Sequence, residues 1–263
     1  MEHIQKKSDI VSIIIVHYLA TSATMRLLRT IEKKSTFEVI LVDNGPDFTL
    51  KEAIQKQFPW VIYVSKRINL GYAQAINLGI EHAHGQWFML LNNDVQTNAA
   101  TIDALVKKTK AVDGLVSVPR LEDKNGAAAN TVGYFDAWWK HPVNALFVRP
   151  RVIDQNKFNK PTRIDFATAG AMLINKQVNE TVGPWDNRFF MYFEDMDYCL
   201  RLKKNQISLW YFPDIVMRHE KSLTANQDRK QKNVNYHTSL NTYLLKHRGA
   251  IVAMMNRFFH ALR

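Results

Sequence analysis

Short runs of consecutive apolar residues alternate with longer amphipathic segments through the first half of the chain. The apolar runs are residues 11–16, 39–42, 61–64, 87–91 and 115–118. Unbroken apolar stretches of this length are typical of strands buried on both faces. The segments with helical spacing are residues 21–33, 50–58, 71–82 and 98–110. Strands that alternate with helices predict a mainly parallel sheet flanked by helices, and therefore an α/β domain over residues 8 to about 120.

The second half of the chain gives weaker periodic signals. Residues 195–203 have helical spacing, and the apolar run 207–212 ends at Pro213. From Leu240 to Leu262, apolar residues again recur at helical spacing, which is interrupted near Gly249. This pattern predicts a helical segment at the C-terminal end.

The composition is that of a globular protein, since 46% of the residues are hydrophobic and 22% are charged. The single cysteine, Cys199, excludes an intramolecular disulfide and a cysteine-based zinc cluster. The N-terminal apolar run ends at Val16, which is too short for a membrane span of roughly 20 residues. No small-residue cleavage site follows it. We expect a soluble intracellular protein.

The net charge of +11 is concentrated near the C-terminal end. Residues 201–263 hold 12 Lys and Arg against three acidic residues, a net charge of +9, whereas the first 200 residues carry +2. A basic segment of this kind favours an anionic partner, which could be nucleic acid, a phosphorylated ligand or acidic lipid. A solvated basic face without a partner is an equally good interpretation of the charge alone.

Polar side chains follow three of the predicted strands directly. They are His17, Tyr18, Asp43, Asn44, Asn92, Asn93 and Asp94. Ligands of open α/β sheets bind outside the carboxyl ends of the strands, where these side chains would meet. Asp and Asn also stabilise turns by forming hydrogen bonds with their own backbone. At a single strand end, this turn role explains the presence of Asp and Asn as well as a ligand site does. Two strand ends that both offer Asp and Asn favour a ligand site.

The class of ligand follows from the lack of glycine after the first strand. A dinucleotide cofactor requires a glycine-rich turn there, but residues 17–21 contain no glycine, and the chain has no Walker-type loop. Phosphates would instead be held by a divalent cation on Asp94, because hard cations bind carboxylate oxygens and bridge to substrate phosphates. The pattern predicts a nucleotide-diphosphate ligand.

A second group of acids, Glu194, Asp195 and Asp197, follows the aromatic and methionine residues 189–193. Acids at this place suit a helix N-terminus, where they offset the positive end of the helix dipole. Apolar surroundings also raise the pKa of a carboxyl group, which suits a general base, and the two interpretations are compatible. His219 is either a structural histidine or a metal ligand.

Several motifs, taken in order, resemble a known family. They are VSIIIVHY, EVILVDNGPD, INLGYAQAINLGI, WFMLLNNDV, DFATAGAMLI, VGPWDNRFFMYFEDMDYCLR and PDIVMRHEKS. From residue 10 to about 250 they are similar to the inverting family 2 glycosyltransferases of the GT-A fold, and most similar to their bacterial rhamnosyltransferase-like branch. The resemblance implies a Rossmann-like GT-A catalytic domain over residues 8–220, with a nucleotide-sugar half (8–120) and an acceptor and base half (121–220). A basic helical extension (221–263) would follow.

The resemblance also implies roles for individual residues. Asp195 matches the general base, and Asp94 with His219 matches a site for Mg²⁺ or Mn²⁺. The implied donor-binding residues are His17, Tyr18, Asp43, Asn69, Asn92, Asn93, Asp94 and Gly170. The candidates for the acceptor side are Trp185, Tyr192 and Glu194, with Trp138 and Trp139 as further aromatic candidates. For each aromatic residue, packing in the core is the alternative.

Two departures from the family pattern affect the donor site. His17 and Leu19 stand where the family often has Thr and Asn, which leaves both uracil and thymine open as the base. Asn92 replaces the first acid of the family's metal-binding motif.

The implied reaction is inverting transfer of rhamnose or a hexose in the synthesis of cell-surface polysaccharide. The donor would be dTDP-rhamnose or a UDP-sugar, and the acceptor a glycan or polyprenyl-linked hydroxyl. The alternatives are a catalytically inactive nucleotide-sugar-binding protein and a nucleic-acid-binding module. Charge alone motivates the second, so we expect no nucleic-acid partner.

The C-terminal segment allows two interpretations. A basic amphipathic pattern at residues 251–263 favours peripheral contact with the anionic inner face of the cell membrane. For residues 240–245, packing on the protein's own domain or a homodimer seam is favoured.

Overall fold

The chain forms an α/β structure, which the computed structural model describes for residues 10–45, 49–135, 151–220 and 229–261. These residues form twelve strands and eight helices. The strands are β1 (Val11–His17), β2 (Phe37–Asp43), β3 (Val61–Ser65), β4 (Trp87–Asn92), β5 (Val95–Gln96), β6 (Val116–Glu122), β7 (Val132–Tyr134), β8 (Arg151–Val152), β9 (Thr162–Ile164), β10 (Phe166–Ala167), β11 (Ala171–Asn175) and β12 (Leu209–His219). The helices are α1 (Thr21–Thr30), α2 (Thr49–Gln57), α3 (Tyr72–Glu81), α4 (Ala99–Ala111), α5 (Lys176–Val182), α6 (Glu194–Lys204), α7 (Arg229–Arg248) and α8 (Ala250–Ala261).

The main sheet of the described residues has the strand order β3-β2-β1-β4-β11-β6-β12-β5, and β9 also pairs with β12. β3, β2, β1 and β4 are parallel, as are β6 and β12. β11, β5 and β9 run antiparallel to their neighbours. β10, β7 and β8 form a small antiparallel sheet. The predicted sheet flanked by helices is confirmed, and its antiparallel strands come mainly from the second half of the chain.

The first strand illustrates why the sheet forms from this sequence. All seven residues of β1 are buried, and successive side chains point to opposite faces of the sheet. Ile14 and Val16 join one core cluster with residues of α3 and α6. Ile13 and Ile15 join the other cluster with residues of α1 and α4. Burial on both faces therefore accounts for the continuous apolar run.

The elements predicted for the first half are present, with differences at their ends. α1 ends at Thr30 rather than at residue 33, because Ile31 adopts an extended backbone and packs into the core. Asn98 caps α4, since its side-chain oxygen accepts a hydrogen bond from the Thr101 amide at 2.9 Å. The apolar run at residues 115–118 is the first part of the longer strand β6.

The C-terminal segment forms two helices that are separated at Gly249, whose φ is +88°. Ser239, Tyr243 and Leu244 of α7 are buried. Tyr243 and Leu244, together with Ala253 of α8, belong to the same core cluster as one face of the sheet. The described part of these helices therefore shares the core of the preceding domain, and the domain boundary near residue 220 stays a prediction.

α8 also leaves apolar side chains on the surface. Ile251 is 76% exposed and Met254 is 68% exposed. Arg257 ties the helix to α7, since its Nε donates to Asn241 Oδ1 at 2.8 Å. Among the helices of the described ranges, none combines the length and apolar character needed to cross a bilayer.

Candidate functional site

The carboxyl ends of β1, β2 and β4 lie side by side at one edge of the sheet. Parallel pairing puts His17 beside Asp43 and Val16 beside Asn92. A cavity of about 490 Å³ opens here. The predicted residues that line it are Tyr18, Asn69, Asn92, Asn93, Asp94, Gly170, Tyr192, Glu194, Asp195 and His219. The fold thus brings residues from both halves of the chain into one cavity at the predicted edge.

Asp94 and His219 meet because two strands pair at the end of the sheet. β5 begins directly after Asp94 and runs antiparallel to β12, so that Val95 lies opposite His219. His219 Nε2 is 3.1 Å from Asp94 Oδ1. The Glu220 amide donates to the Asp94 carbonyl oxygen at 2.9 Å. Backbone pairing therefore fixes the two side chains relative to each other.

The Asp94–His219 pair has the chemistry of a partial cation site. Mg²⁺ and Mn²⁺ favour carboxylate oxygens, and neutral imidazole is a common additional metal ligand. The Oδ1 atom of Asn92 is buried at the same cavity and forms no hydrogen bond with any described residue. In the described part of the chain, no three His, Cys, Asp or Glu residues are arranged to hold a metal. The pair therefore fits a cation whose remaining ligands come from substrate phosphates and water.

Gly170 lies between Asn92 and His219. The Asn92 amide donates to the Gly170 carbonyl oxygen at 2.9 Å. A Cβ atom on Gly170 would be 3.5 Å from Asn92 Nδ2 and 3.7 Å from His219 Cε1, which is ordinary van der Waals contact. A side chain here would fill space between the two cavity residues, so a glycine keeps that space open.

Glu194 and Asp195 form the first turn of α6 and line the same cavity. Glu194 is 8% exposed, and none of the described residues donates a hydrogen bond to its Oε2 atom. Asp195 is half-buried and accepts a hydrogen bond from the Met196 amide at 2.7 Å. Burial raises the pKa of both carboxyl groups, and repulsion from Asp195 raises the pKa of Glu194 further. A carboxyl group with a raised pKa is suited to act as a general base.

The backbone before these acids has an unusual conformation. Tyr192 and Phe193 have φ values of 69° and 68°, in the left-handed region that bulky residues rarely occupy. Phe193 is also the N-cap residue of α6, directly before the helix begins at Glu194. Consecutive strained residues persist only where the surrounding contacts hold them, and they are frequent at functional sites.

His17 lies behind the wall of the cavity. It is 4% exposed, and its Nδ1 atom is 2.7 Å from Thr24 Oγ1 and 3.3 Å from Asn93 Nδ2. Asn93 also donates to Thr24 Oγ1 at 3.0 Å. Because these buried bonds hold its ring, His17 supports Asn93 and does not itself line the cavity, unlike the donor contact expected from the sequence.

Asp43 is buried at the end of β2, with 2% of its surface exposed. Its Oδ2 accepts a hydrogen bond from the Tyr63 hydroxyl, and its Oδ1 accepts one from the Gly45 amide at 3.1 Å. The bond to Gly45 is the turn chemistry that the sequence leaves open. Each carboxylate oxygen has a second lone pair, so contact with a nucleotide base stays compatible with this arrangement and stays a prediction.

Asn44 connects this strand end to the turn before α3 and lines the cavity. Its Nδ2 donates to Asn69 Oδ1 at 3.1 Å, and its Oδ1 accepts from the Leu70 amide at 2.8 Å. Gly71 follows with a φ of +79°, and a Cβ there would lie 2.3 Å from the Phe190 carbonyl oxygen. Glycine is therefore required where the turn of the first half touches the loop that leads to the acid pair.

Tyr72 lines the cavity, although it is not among the site residues predicted from the sequence. Its hydroxyl donates to the Ala169 carbonyl oxygen at 2.9 Å. Burial raises its pKa well above the usual value, and the charges of Glu194, Asp195 and Asp94 raise it further. Other cavity residues outside the predicted set are Asn130, Thr131 and Thr168. The motif around Tyr72 offers a signal for it, whereas residues 130 and 131 belong to none of the quoted motifs.

Trp185 packs in the core and does not line the cavity. It is 1% exposed, and its ring stacks on Tyr198 with ring centroids 4.3 Å apart. This position agrees with core packing, the alternative to an acceptor role. Trp138 and Trp139 lie outside the described residues.

Comparison with known proteins gives one family. Residues 12–183 match the family described as glycosyl transferase family 2. The low-salt glycan biosynthesis hexosyltransferase Agl10 of Haloferax volcanii is 24% identical over 209 residues, which cover 78% of this chain and 65% of that protein. The N-acetylglucosaminyl-diphospho-decaprenol L-rhamnosyltransferase of Mycobacterium tuberculosis is 22% identical, with 92% of this chain and 86% of that protein covered. Rhamnosyltransferase WbbL of Escherichia coli is 24% identical, with 77% and 80% covered.

A similar fold occurs in the crystal structure of GalNAc-T7 with UDP, GalNAc and Mn²⁺. The TM-score is 0.68 at 16% identity, and the match covers 89% of this chain and 47% of that chain. The shared architecture is the GT-A fold. This chain therefore spans about two thirds of the Haloferax protein and about half of GalNAc-T7. Because the family match extends over well more than half of its residues, the chain belongs to glycosyl transferase family 2.

Proposed function

We propose that this protein is a metal-dependent inverting glycosyltransferase that moves rhamnose or a hexose from a nucleotide-diphosphate donor to an acceptor hydroxyl. The observation that carries the proposal is the single cavity that contains both the Asp94–His219 pair and Asp195. A single displacement on a sugar requires two parts. One is a site that holds the diphosphate and its cation, and the other is a general base.

The donor is proposed to be dTDP-rhamnose or a UDP-sugar. Two of the relatives named above are rhamnosyltransferases, one is a hexosyltransferase, and GalNAc-T7 was crystallised with UDP. Tyr18, Asn44 and Asn69 line the cavity, and we assign them to the donor side. Aromatic and amide side chains of this kind are suited to hold a nucleoside.

Asp94 and His219 would hold Mg²⁺ or Mn²⁺ in this proposal. When bound, the cation would offset the charge that builds on the departing diphosphate. The chain contributes the pairing of β5 with β12, which holds the two side chains together, and Gly170, which leaves space beside them.

Asp195 is proposed to accept the proton of the acceptor hydroxyl. The acceptor oxygen forms a bond to the anomeric carbon from the face opposite the diphosphate. The bond between that carbon and the diphosphate oxygen breaks, and its electron pair leaves with the diphosphate. One displacement of this kind inverts the anomeric centre and needs no protein nucleophile. The raised pKa of Asp195 makes its carboxylate a stronger base than an ordinary one.

The acceptor is proposed to be a glycan or a lipid-linked sugar at the inner face of the cell membrane, in cell-surface polysaccharide synthesis. The Mycobacterium relative is named for a diphospho-decaprenol substrate. Residues 229–263 hold seven Lys and Arg and no acidic residue. Exposed Ile251 and Met254 lie in the same segment. Basic and apolar groups together suit the surface of an anionic bilayer. A homodimer formed through these helices is the alternative.

Two other hypotheses are less well supported. A catalytically inactive nucleotide-sugar-binding protein would have no need to keep Asp94, Asp195 and His219 in one cavity. A nucleic-acid-binding module would have to bring a phosphate backbone to an edge of the sheet that carries carboxylates.

The test begins with a thermal-shift screen of nucleotide sugars in the presence of Mn²⁺, followed by transfer assays with the donor that stabilises the protein most. Asp195→Asn should keep donor binding and lose about 10²–10⁴-fold in transfer rate, because an amide cannot accept the proton. Asp103→Asn is the matched control, since Asp103 is 48% exposed and pairs with Lys34 on the surface. Transfer by Asp195→Asn at the rate of this control would remove Asp195 from its role.

A further inference from the structure

We propose that helix α7 positions the general base by contacting residues on both sides of Asp195, and that Ser239 and Tyr236 are positioning residues for the transfer reaction. The inference rests on the proposed role of Asp195. It gives the C-terminal helices a part in the chemistry itself, separate from any contact with a membrane.

The first contact holds the residues before the acid pair. Ser239 is 2% exposed, and its Oγ donates to the Met191 carbonyl oxygen at 2.7 Å. The ring of Tyr236 packs against Tyr192 and Phe193, with ring centroids 6.0 Å and 5.2 Å apart. Ser239 and Tyr236 are three positions apart and lie on one face of α7. One helix face therefore touches three consecutive residues of the loop.

The second contact holds α6 just after the acid pair. Asp197 is fully buried, and its Oδ1 lies 2.6 Å from Lys246 Nζ and 2.7 Å from His247 Nε2, both in the last turn of α7. Arg201 Nε of α6 donates to the other oxygen of Asp197 at 2.9 Å. Burial would raise the pKa of Asp197, but the hydrogen bonds from His247 and Lys246 and the nearby positive charges hold it below its usual range. An ionised Asp197 thus joins the start of α6 to the end of α7.

The loop residues that α7 contacts have a backbone conformation that needs support from neighbouring elements. Tyr192 and Phe193 occupy the left-handed region, and such a conformation persists only where neighbours over-determine it. If these residues relaxed, Asp195 would move from its place in the cavity. A displacement of about 1 Å at a reacting group can lower a rate by about 10²-fold. Tyr243 adds to the same support, since its ring centroid is 5.7 Å from that of Phe193.

The test compares Ser239→Ala and Tyr236→Ala with one control in the full chain. Thr242→Ala removes a hydroxyl that bonds only within α7, to the Thr238 carbonyl oxygen at 3.0 Å. For each variant, kcat is measured in the transfer assay, and the Kd values of UDP and of dTDP with Mn²⁺ are measured by calorimetry.

We expect Ser239→Ala and Tyr236→Ala to lower kcat by about 10- to 100-fold while nucleotide Kd stays within about twofold of wild type. Thr242→Ala should keep the wild-type kcat. A purely structural helix would instead lower the melting temperature and leave kcat of the folded protein unchanged, and that result would overturn the proposal. A parallel loss of kcat and nucleotide affinity would also overturn it, because it would indicate general damage to the cavity.

Two additions keep the outcome clear. If Tyr236→Ala does not fold, Ser239→Ala and Tyr236→Leu carry the test, because they remove less of the packing. Asp195→Asn is measured in parallel. Retained transfer by Asp195→Asn would overturn the proposed function and this inference with it. Lost transfer by Asp195→Asn, with retained kcat in Ser239→Ala and Tyr236→Ala, would leave the proposed function standing and overturn the role of α7 alone.

Discussion

At the scale of single residues, Glu194 departs furthest from ordinary carboxyl chemistry. It is buried next to Asp195 in a cavity that also contains Asp94. When two neighbouring acids titrate as a pair, the second proton leaves with difficulty, so the pair carries close to one negative charge near neutral pH. A diphosphate donor would then meet less repulsion than two fully ionised carboxylates would create.

The protonation of Glu194 predicts a pH-dependent stability. Burial, and then repulsion from Asp195, raise its pKa in the folded protein from 4.5 to about 8. The folded state therefore keeps a proton that the unfolded chain releases, so the free energy of unfolding falls as pH rises from about 4.5 to about 8. The variant Glu194→Gln has no carboxyl group at this position, so it does not lose stability in this way as pH rises. We expect its melting temperature relative to wild type to increase across that interval and to be constant below it, as measured by scanning calorimetry.

Glu180→Gln is the control for this prediction, because Glu180 is exposed on α5. Its melting temperature relative to wild type should show no trend with pH. A pH-independent difference for Glu194→Gln would mean that Glu194 keeps its ordinary pKa in the folded protein.

Sequence patterns predicted which residue types occur near the site better than they predicted which side chains face the cavity. Asp94, Asp195 and His219 all line the cavity, as the motifs indicate. His17 instead bonds Thr24, and Trp185 stacks on another aromatic ring in the core. Whether a polar or aromatic side chain faces a cavity depends on partners that are distant in sequence or on another element, and a local pattern does not place them.

At the scale of elements, the pairing of β5 with β12 builds the proposed cation site. β5 has two residues, too few for a periodic signal. The apolar run at residues 207–212 covers only the first part of β12, because it ends at Pro213, a residue that is unusual inside a strand. The strand continues past Pro213 after a register shift between Phe212 and Val216, and reaches His219. Because this bulge interrupts the apolar pattern of the strand, the sequence pattern does not assign His219 to a strand.

The paired strands predict a cation-dependent donor affinity. Asp94→Asn and His219→Gln should each weaken the binding of UDP or dTDP in the presence of Mn²⁺ by about tenfold or more, which is about 1.4 kcal/mol. EDTA should weaken nucleotide binding by wild type and have little effect on the variants. Calorimetry measures both effects. Asp214→Asn is the control on the same strand, since Asp214 is 51% exposed in a surface ion pair. Wild-type affinity that does not respond to EDTA would contradict the cation site.

At the scale of the whole molecule, the two C-terminal helices differ: α7 packs into the core, whereas α8 exposes apolar side chains. α7 buries Tyr243 and Leu244 in the core, which agrees with the interpretation that residues 240–245 pack on their own domain. α8 leaves Ile251 and Met254 exposed in a segment without acidic residues. The α/β class was predictable because each strand and helix has a local pattern. The shared core of α7 was not, because it depends on contacts with α6 and its preceding loop.

The outer face predicts binding to anionic vesicles. Wild type should sediment with vesicles that contain phosphatidylglycerol and remain in solution with pure phosphatidylcholine, because both charge and apolar burial contribute. The double variant Ile251→Glu with Met254→Glu should lose this sedimentation. Val152→Glu is the control, since Val152 is 45% exposed on β8. Equal sedimentation of wild type and the double variant would contradict a membrane role for α8. Analytical ultracentrifugation of the same proteins tests the dimer alternative.

The place of β12 also affects the order in which the protein matures during synthesis. β12 is the last strand among the described residues and lies inside the sheet order, between β6 and β5, so the cavity gains His219 only after the preceding strands have been made. The parallel strands β1 to β4 are synthesised before β12, so they are available for pairing before the cavity is complete. If the donor nucleotide binds through both Asp94 and His219, as proposed, it would bind more weakly until β12 has joined the sheet. By mass action it would then stabilise the folded protein more than chains in which β12 has not yet paired, so donor supply in the cell would favour folded molecules over partly folded ones.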